Sequence, residues 1–102
     1  MSLTLTSVTV SIPAGTTTPQ AVGGVLDYLY EGNQDRRLVG QLGAAGDSLL
    51  FEGTLDGTNW WPLGAAITGD VLGHAILVEG PLRQIRATKT GTAGIATVTA
   101  VI

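Results

Sequence analysis

Ser48 and the single histidine, His74, are the residues of this chain whose types could carry out nucleophilic chemistry. A serine hydroxyl becomes a nucleophile when a base lies within hydrogen-bond reach and an acid orients that base. The acid of an Asp-x-x-His pair would stand at position 71, which is Val71, and Asp70 is one residue too far from the histidine. The sequence therefore predicts that the protein is not an enzyme.

The segment Gly46-Asp47-Ser48-Leu49 matches the tetrapeptide around the nucleophilic serine of one class of esterases and lipases. That class has a larger α/β fold, and it needs the acid and base that this chain lacks at the required spacing. A turn formed by Asp47 and Ser48 before a strand accounts for the same residues. We therefore interpret the segment as a structural turn.

The other polar residues do not form a ligand set that is typical of a metal or cofactor site. The chain has no cysteine and no second histidine, so a zinc site is not expected. The carboxylates of Glu52, Asp56, Asp70 and Glu79 are scattered near glycines, without the Asp-x-Asp-x-Asp spacing of a calcium loop. The sequence therefore predicts no metal and no cofactor.

The composition indicates a protein that buries surface against other proteins. Only 13% of the 102 residues are charged, whereas about 25% is typical of a soluble globular protein. A surface with few ions can be buried with little desolvation, so we expect a homo-oligomer or a subunit of an assembly. A net charge of −3 argues against binding to nucleic acid. No apolar run reaches the roughly 18 to 20 residues that a membrane helix requires, so no membrane partner is expected.

The segment that contains both tryptophans predicts a β-hairpin. Residues 48–55 and 58–63 are two runs that could pair, and Asp56-Gly57 between them supplies residues that tolerate positive φ. Consecutive residues of a strand point to opposite faces of the sheet. We therefore expect one of Trp60 and Trp61 to fill the core and the other to lie on the outer face.

Alternating apolar residues between glycine-rich turns predict seven or eight short strands and no helix. Residues 22–30 fit a helical face as well as a strand face, and their alternate aromatic residues favour a strand. Residues 82–90 and 93–102 are predicted to pair as a hairpin across 91–94. The pattern indicates one domain, residues 1–102, with an antiparallel β-sandwich or jelly-roll-like fold. The other predicted strands are residues 3–12, 38–42 and 74–79, and residues 31–37 are predicted to form an exposed turn.

Three basic residues fall on one predicted strand. Alternation puts Arg83 and Lys89 on one face and Arg86 on the other. We interpret them as screened surface charges. The alternative is that Glu52 or Asp56 pairs with one of the two arginines, across the sheet or across a subunit boundary.

Three segments of the chain resemble small β-rich proteins that are encoded by tailed bacteriophages. These segments are the hairpin 51–60, the strand 80–86 and the closing strand 91–99, which are similar to an FEGS-DGTNW hairpin, a GLRQIRV strand and an SGTATVT strand. The similarity covers residues 38–101. A proline in the second segment and a second tryptophan depart from the pattern, and the first 37 residues have no counterpart. The hairpin is also similar to that of discoidin-type sugar- and lipid-binding jelly rolls.

The resemblance implies a non-enzymatic protein of the virion, most specifically a capsid decoration (cement) protein that binds capsid or other virion proteins. The alternatives are a tail or fibre accessory protein and a carbohydrate-binding module that uses an exposed tryptophan. Residues 1–12 are a candidate arm that donates a strand to a partner. The residues that we predict to contact a partner are Trp60, Trp61, Arg36, Arg37, Leu3 and Leu5.

Overall fold

Short strands with alternating buried and exposed residues form most of the structure. The computed structural model describes residues 7–23, 36–69, 73–78 and 82–101. Within these ranges the chain forms nine strands and no helix, so none of the described residues belongs to a helix that could span a membrane. The predicted all-β class is confirmed. The strands are β1 (Ser7–Ile12), β2 (Gln20–Ala21), β3 (Arg36–Leu42), β4 (Ser48–Thr54), β5 (Trp60–Pro62), β6 (Ile67–Thr68), β7 (His74–Val78), β8 (Gln84–Thr90) and β9 (Ala96–Val101).

The strands form two sheets in which every described pairing is antiparallel. The four-stranded sheet has the order β1-β9-β3-β7. The five-stranded sheet has the order β2-β8-β4-β5, and β6 pairs with β4 beside β5. Each sheet buries one face against the other, which confirms the predicted antiparallel β-sandwich.

The core lies between the two sheets, because alternate residues of each long strand point inward. Phe51 has the largest of the fully buried side chains. Gly40 of β3 lies opposite it, and a Cβ atom at this position would lie 2.8 Å from Leu49 Cδ2 and 3.1 Å from Phe51 Cζ. The absence of a side chain on β3 therefore leaves room for Leu49 and Phe51 at this point of the core. The buried hydrophobic residues are Ile12, Val22, Leu38, Leu42, Leu49, Phe51, Ile67, Leu82, Ile85, Ala87, Ala96, Val98 and Ala100.

Neither tryptophan belongs to this core, so the prediction that one of them fills it is wrong. Trp60 is half-buried, and Trp61 is 38% exposed. Trp61 pairs with Gly53, and the space on the inner side of Gly53 is already occupied. A Cβ atom on Gly53 would lie 2.7 Å from Leu82 Cδ2 and 3.0 Å from Leu63 Cδ2. Aliphatic side chains thus fill the interior beside this hairpin.

The predicted hairpin between the last two strands is also wrong. β8 belongs to the five-stranded sheet and β9 to the four-stranded sheet, so residues 91–95 cross from one sheet to the other. Each strand buries alternate residues, a pattern that is the same whether two successive strands share a sheet or face each other across a core. The hairpin predicted across Asp56-Gly57 is confirmed, because β4 pairs with β5.

β3 begins at Arg36, so the exposed turn predicted for residues 31–37 extends too far. Arg37 pairs with Leu77 of β7 and Val101 of β9, and its side chain is exposed on the outer face, where a charge remains hydrated.

Residues 7–12 of the predicted arm form β1 and pair with β9 of the same chain. Leu3, Leu5 and residues 24–30 lie outside the described residues, and strand donation stays a prediction.

Replacement of Gly40 by alanine should destabilise the sandwich. The new Cβ atom would contact Leu49 and Phe51 too closely, and overpacking of a core typically costs about 1 to 3 kcal/mol. The matched control is Gly46→Ala, because a Cβ atom there has no neighbour within 4 Å. Urea unfolding should give a lower free energy for Gly40→Ala and no loss for Gly46→Ala. Equal stability of the two variants would contradict the close packing at Gly40.

Candidate functional site

Three connections between the sheets lie at one end of the sandwich, which we call the crossing end. They are residues 13–19 between β1 and β2, residues 43–47 between β3 and β4, and residues 91–95 between β8 and β9. The registers of β1 and β3 with β9, and of β4 with β8, bring the ends of these strands to the same level. The polar groups of the three connections can therefore meet.

The side chain of Lys89 joins the three connections. Lys89 is 1% exposed, although it carries a charge. Its Nζ atom donates hydrogen bonds to the carbonyl oxygens of Ala14, at 2.8 Å, and Gly91, at 2.6 Å. The same atom lies 3.7 Å from Oδ2 of Asp47. Since each of these partners belongs to a different connection, one ammonium group holds all three.

The carboxylate of Asp47 makes the second set of links at the crossing end. It is 3% exposed and accepts hydrogen bonds from the backbone N–H groups of Ala93, at 3.3 Å, and Gly94, at 2.9 Å. Burial raises the pKa of Asp47, but the hydrogen bonds from Gly94 and Ala93 and the charge of Lys89 together lower it, so that the pKa lies below its usual value of 3.8. Asp47 is therefore ionised and paired at neutral pH.

Two glycines allow the connections to approach this closely. Gly91 has φ +98°, and a Cβ atom at this position would collide with the carboxylate of Asp47. Gly43 donates a backbone hydrogen bond of 2.8 Å to the carbonyl oxygen of Ile95, and a Cβ atom on Gly43 would lie 2.7 Å from that oxygen. The contact between residues 43–47 and 91–95 is thus made by backbone against backbone.

The prediction that Lys89 is a screened surface charge is wrong. The signal in the sequence was its position, because Lys89 alternates in step with Ile85 and Ala87, which are buried.

Ser48 begins β4 and His74 begins β7, so the two residues stand in opposite sheets. In the part of the chain that the structure describes, no three His, Asp or Glu side chains are grouped so that they could hold a metal ion.

The outer face of the five-stranded sheet carries an ion pair stacked on an aromatic ring. Arg86 and Glu52 are direct cross-strand neighbours, and Nε of Arg86 donates a hydrogen bond of 3.1 Å to Oε1 of Glu52. The guanidinium group lies 4.2 Å from the ring centroid of Trp60, within range of a cation–π interaction. This confirms the alternative in which an arginine pairs with Glu52 across the sheet. One face of Trp60 is therefore occupied within the chain.

The carboxylate of Asp56 organises the loop between β4 and β5. It accepts hydrogen bonds from the N–H groups of Thr58 and Asn59 and from the side chains of Asn59 and Thr54. The bonds from Asn59 and Thr58 lower the pKa of Asp56 well below its usual value. Gly57 has φ +83°, whereas Asp56 does not adopt positive φ. The aspartate therefore acts through its side chain rather than through the backbone conformation that we predicted.

The outer face of the four-stranded sheet, which we call the open face, carries few charges. Val39 and Leu77 are 42% and 56% exposed on it. The registers bring the hydroxyl-bearing residues of β1 and β9 side by side, next to β3. Arg37 is the one charged residue among the described members of the face. These members are Thr9, Ser11, Arg37, Val39, Gln41, Ala75, Leu77, Thr97 and Thr99.

The residues predicted to contact a partner do not form one described cluster. Arg37 belongs to the open face, and Arg36 begins the same strand. Trp60 and Trp61 lie in β5 at the edge of the other sheet. Val39 and Leu77 are not among the residues predicted from the sequence, and the signal that could have identified them is their alternation with buried Leu38 of β3 and partly buried Ile76 of β7.

The comparisons with known proteins support the fold and leave the function open. No protein-family model and no curated protein matches the chain. A solved structure of the Bacillus endospore appendages, described as a family of disulfide-linked pili, is similar in fold, with a TM-score of 0.55 and 12% identity. The match covers 96% of this chain and 85% of the other. Because this chain has no cysteine, disulfide links between copies are not open to it.

Removal of the buried ammonium should weaken the crossing end. Lys89→Met leaves the Asp47 carboxylate without its cation, and loss of one member of a buried ion pair typically costs about 3 to 5 kcal/mol. Arg83→Met is the control, since an exposed cation just before the same strand should matter by no more than about 0.5 kcal/mol. Guanidinium unfolding followed by tryptophan fluorescence measures both. Equal losses for the two variants would show that the ammonium does not hold the connections.

Proposed function

We propose that the chain is a non-enzymatic structural protein of a bacteriophage virion, and specifically a capsid decoration protein that stabilises the particle by binding other virion proteins. The open face is the observation that carries this proposal. The virion as its location rests on the resemblance of the hairpin and of the two later strands to tailed-phage proteins. A tail or fibre accessory protein is the variant of this proposal that differs only in the place of attachment.

The chemistry of the open face suits a protein partner. Val39 and Leu77 can be buried against a partner with a gain in free energy of about 25 cal/mol for each Å² of apolar surface removed from water. The threonine and serine hydroxyls can exchange water for polar groups of the partner. Arg37 is the one described side chain of the face whose charge must be paired or left at the rim. The cost of desolvation is therefore small.

The size of the open face favours a repeated attachment over a single tight complex. Four strands of about six residues cover roughly 20 by 19 Å, or about 400 Å², if strands rise about 3.3 Å per residue and lie about 4.8 Å apart. A stable interface usually buries about 800 Å² on each partner. The face alone supplies about half of that area. Many copies on one lattice, each attached at more than one contact, would compensate by avidity.

A particle-binding assay tests the proposal. Particles of the phage that encodes the chain, grown without it, should bind the purified protein on co-sedimentation and should then release DNA at a higher temperature. Leu77→Asp should reduce binding at least tenfold, because it places an unpaired charge in the interface. Leu55→Asp is the matched control, since Leu55 is also exposed but lies in the hairpin of the other sheet.

Each outcome of this assay has a distinct meaning. Normal binding by Leu77→Asp would remove the open face as the attachment surface. Binding to isolated tails and not to capsids would favour the tail or fibre accessory. No binding to any part of the virion would overturn the proposed function.

Trp61 favours a second candidate function, which is carbohydrate binding. It is 38% exposed on the edge strand β5, and an exposed indole can stack on the apolar face of a sugar ring. Trp60 is less suited to this role, because Arg86 already covers one face of its ring. The site of this alternative is therefore Trp61.

A glycan array distinguishes this candidate from the structural role. If the protein binds sugars, Trp61→Ala should abolish the signal, whereas Trp60→Ala should retain it in correctly folded protein. Circular dichroism checks the fold of both variants, since Trp60→Ala also removes the contact with Arg86. Array signals at background for the unmodified protein would eliminate the carbohydrate-binding candidate.

A further inference from the structure

Both edges of the four-stranded sheet carry strands that can accept another strand. Among the described residues, β1 pairs only with β9 and β7 pairs only with β3. β1 has six residues and β7 has five. On each of these strands, the N–H and C=O groups of alternate residues point away from the neighbouring strand. The sheet therefore presents two ladders of similar length for backbone hydrogen bonds.

These edges lack the features by which proteins prevent edge-to-edge association. Such features are very short edge strands, proline, bulges and charged side chains. The five-stranded sheet has them, because β2, β5 and β6 contain two, three and two residues and β5 ends in Pro62. By contrast, β1 (Ser-Val-Thr-Val-Ser-Ile) and β7 (His-Ala-Ile-Leu-Val) contain no proline and no Asp, Glu, Lys or Arg. In the part of the chain that the structure describes, the edges of one sheet are protected in this way and those of the other are not.

The directions of the two edge strands are complementary. Each neighbour in the order β1-β9-β3-β7 is antiparallel, so β1 and β7 run in opposite directions. A second copy in the same orientation can place its β1 beside β7 of the first and continue the antiparallel alternation. A two-fold β1–β1 pair would leave both β7 edges open, and a β7–β7 pair would leave both β1 edges open. A head-to-tail contact, in which β1 of one copy pairs with β7 of the next, uses both edges of every copy when it repeats.

We propose that copies of this chain assemble head to tail by pairing β1 of one copy with β7 of the next. The proposal rests on the structural role proposed above, and it names a second copy of the chain as a partner. About five backbone hydrogen bonds and the side chains along both edges would form each contact. A head-to-tail contact repeats, so the product is a closed ring or an open filament.

Lysine on the inner side of each edge strand tests this pairing. Val10 of β1 and Ile76 of β7 are partly buried against the core. A lysine at either position can extend past an open edge into water, but a strand paired at that edge would enclose the ammonium group. Val10→Lys should therefore block one edge and Ile76→Lys the other. The matched controls are Thr9→Lys and Leu77→Lys, on the outer side of the same strands.

The measurement is light scattering coupled to size exclusion over a wide concentration range. The unmodified chain and both control variants should form oligomers larger than dimers. Val10→Lys and Ile76→Lys should each remain monomeric at concentrations at least tenfold higher than those at which the unmodified chain assembles. An equimolar mixture of the two should form a dimer, because each variant retains the edge that the other lacks. Circular dichroism confirms folding, and Val8→Lys replaces Val10→Lys if the latter unfolds.

Several results would overturn the inference. Dimers of Val10→Lys alone would indicate β7–β7 pairing, and dimers of Ile76→Lys alone would indicate β1–β1 pairing. A mixture that stays monomeric, or an unmodified chain that is monomeric at every concentration, would exclude the head-to-tail contact. An unmodified chain that stays monomeric yet binds phage particles would overturn this inference and leave the proposed function standing. A chain that assembles but binds no particle would overturn the proposed function and leave this inference standing.

Discussion

The sandwich depends on one buried cation. The Nζ atom of Lys89 contacts one group from each of the three connections by which the crossing end was defined, residues 13–19, 43–47 and 91–95. Burial of a charge is costly unless hydrogen bonds and an opposite charge compensate for it, and here two carbonyl oxygens and Asp47 do so. The same requirement fixes the connections, because a displacement of any one of them would leave the ammonium group underbonded. The relative position of the two sheets is thus tied to a polar contact rather than to apolar packing alone.

The backbone around this contact is shaped to fit it. Asp47 accepts hydrogen bonds from two consecutive N–H groups, at Ala93 and Gly94, and so holds residues 91–95 in the conformation that presents the carbonyl oxygen of Gly91 to Lys89. Apolar core residues could tolerate many exchanges of similar volume. The buried ammonium group of Lys89 allows fewer exchanges, because it is hydrogen-bonded to two carbonyl oxygens and paired with a carboxylate. The crossing end therefore specifies a single arrangement of the sheets, and the core supplies most of the burial.

The sequence predicted the local elements well because alternation along a strand is a local signal. Seven predicted strands recur in the structure with shifts of a few residues at their ends, and the Asp56-Gly57 hairpin is among the confirmed features. The partner of each strand was harder to predict. The glycine-rich residues 91–94 were interpreted as a hairpin turn, although they cross between sheets. Nothing in such a loop distinguishes the two cases, since the difference lies in contacts with residues about 45 positions away.

The burial of a charged residue, Lys89, was the second feature that the sequence alone did not predict. Lys89 was interpreted as a surface charge although it stands in step with Ile85 and Ala87, because a lysine on the inner face is expected only if partners can be named. Its partners come from residues 14, 47 and 91, which no local pattern brings together. The prediction that one tryptophan fills the core was wrong for the opposite reason. Their size suggested the core, yet the interior beside Gly53 is occupied by Leu82, which precedes β8, and by Leu63, which directly follows β5.

Five charged residues of the chain take part in contacts within it, away from the open face. Asp47 and Lys89 form an ion pair at the crossing end, and Glu52 and Arg86 form the ion pair beside Trp60. Asp56 accepts hydrogen bonds within the loop that follows β4. The chain has 13 acidic and basic residues, 8 and 5 respectively, and Arg37 is the one charged residue among the described members of the open face. Along their described residues, the edge strands β1 and β7 lack the charges that normally keep edge strands apart from other molecules. Low charge on the open face and uncharged edge strands at β1 and β7 are the two features on which the proposed attachment to partners and the proposed assembly of copies rest.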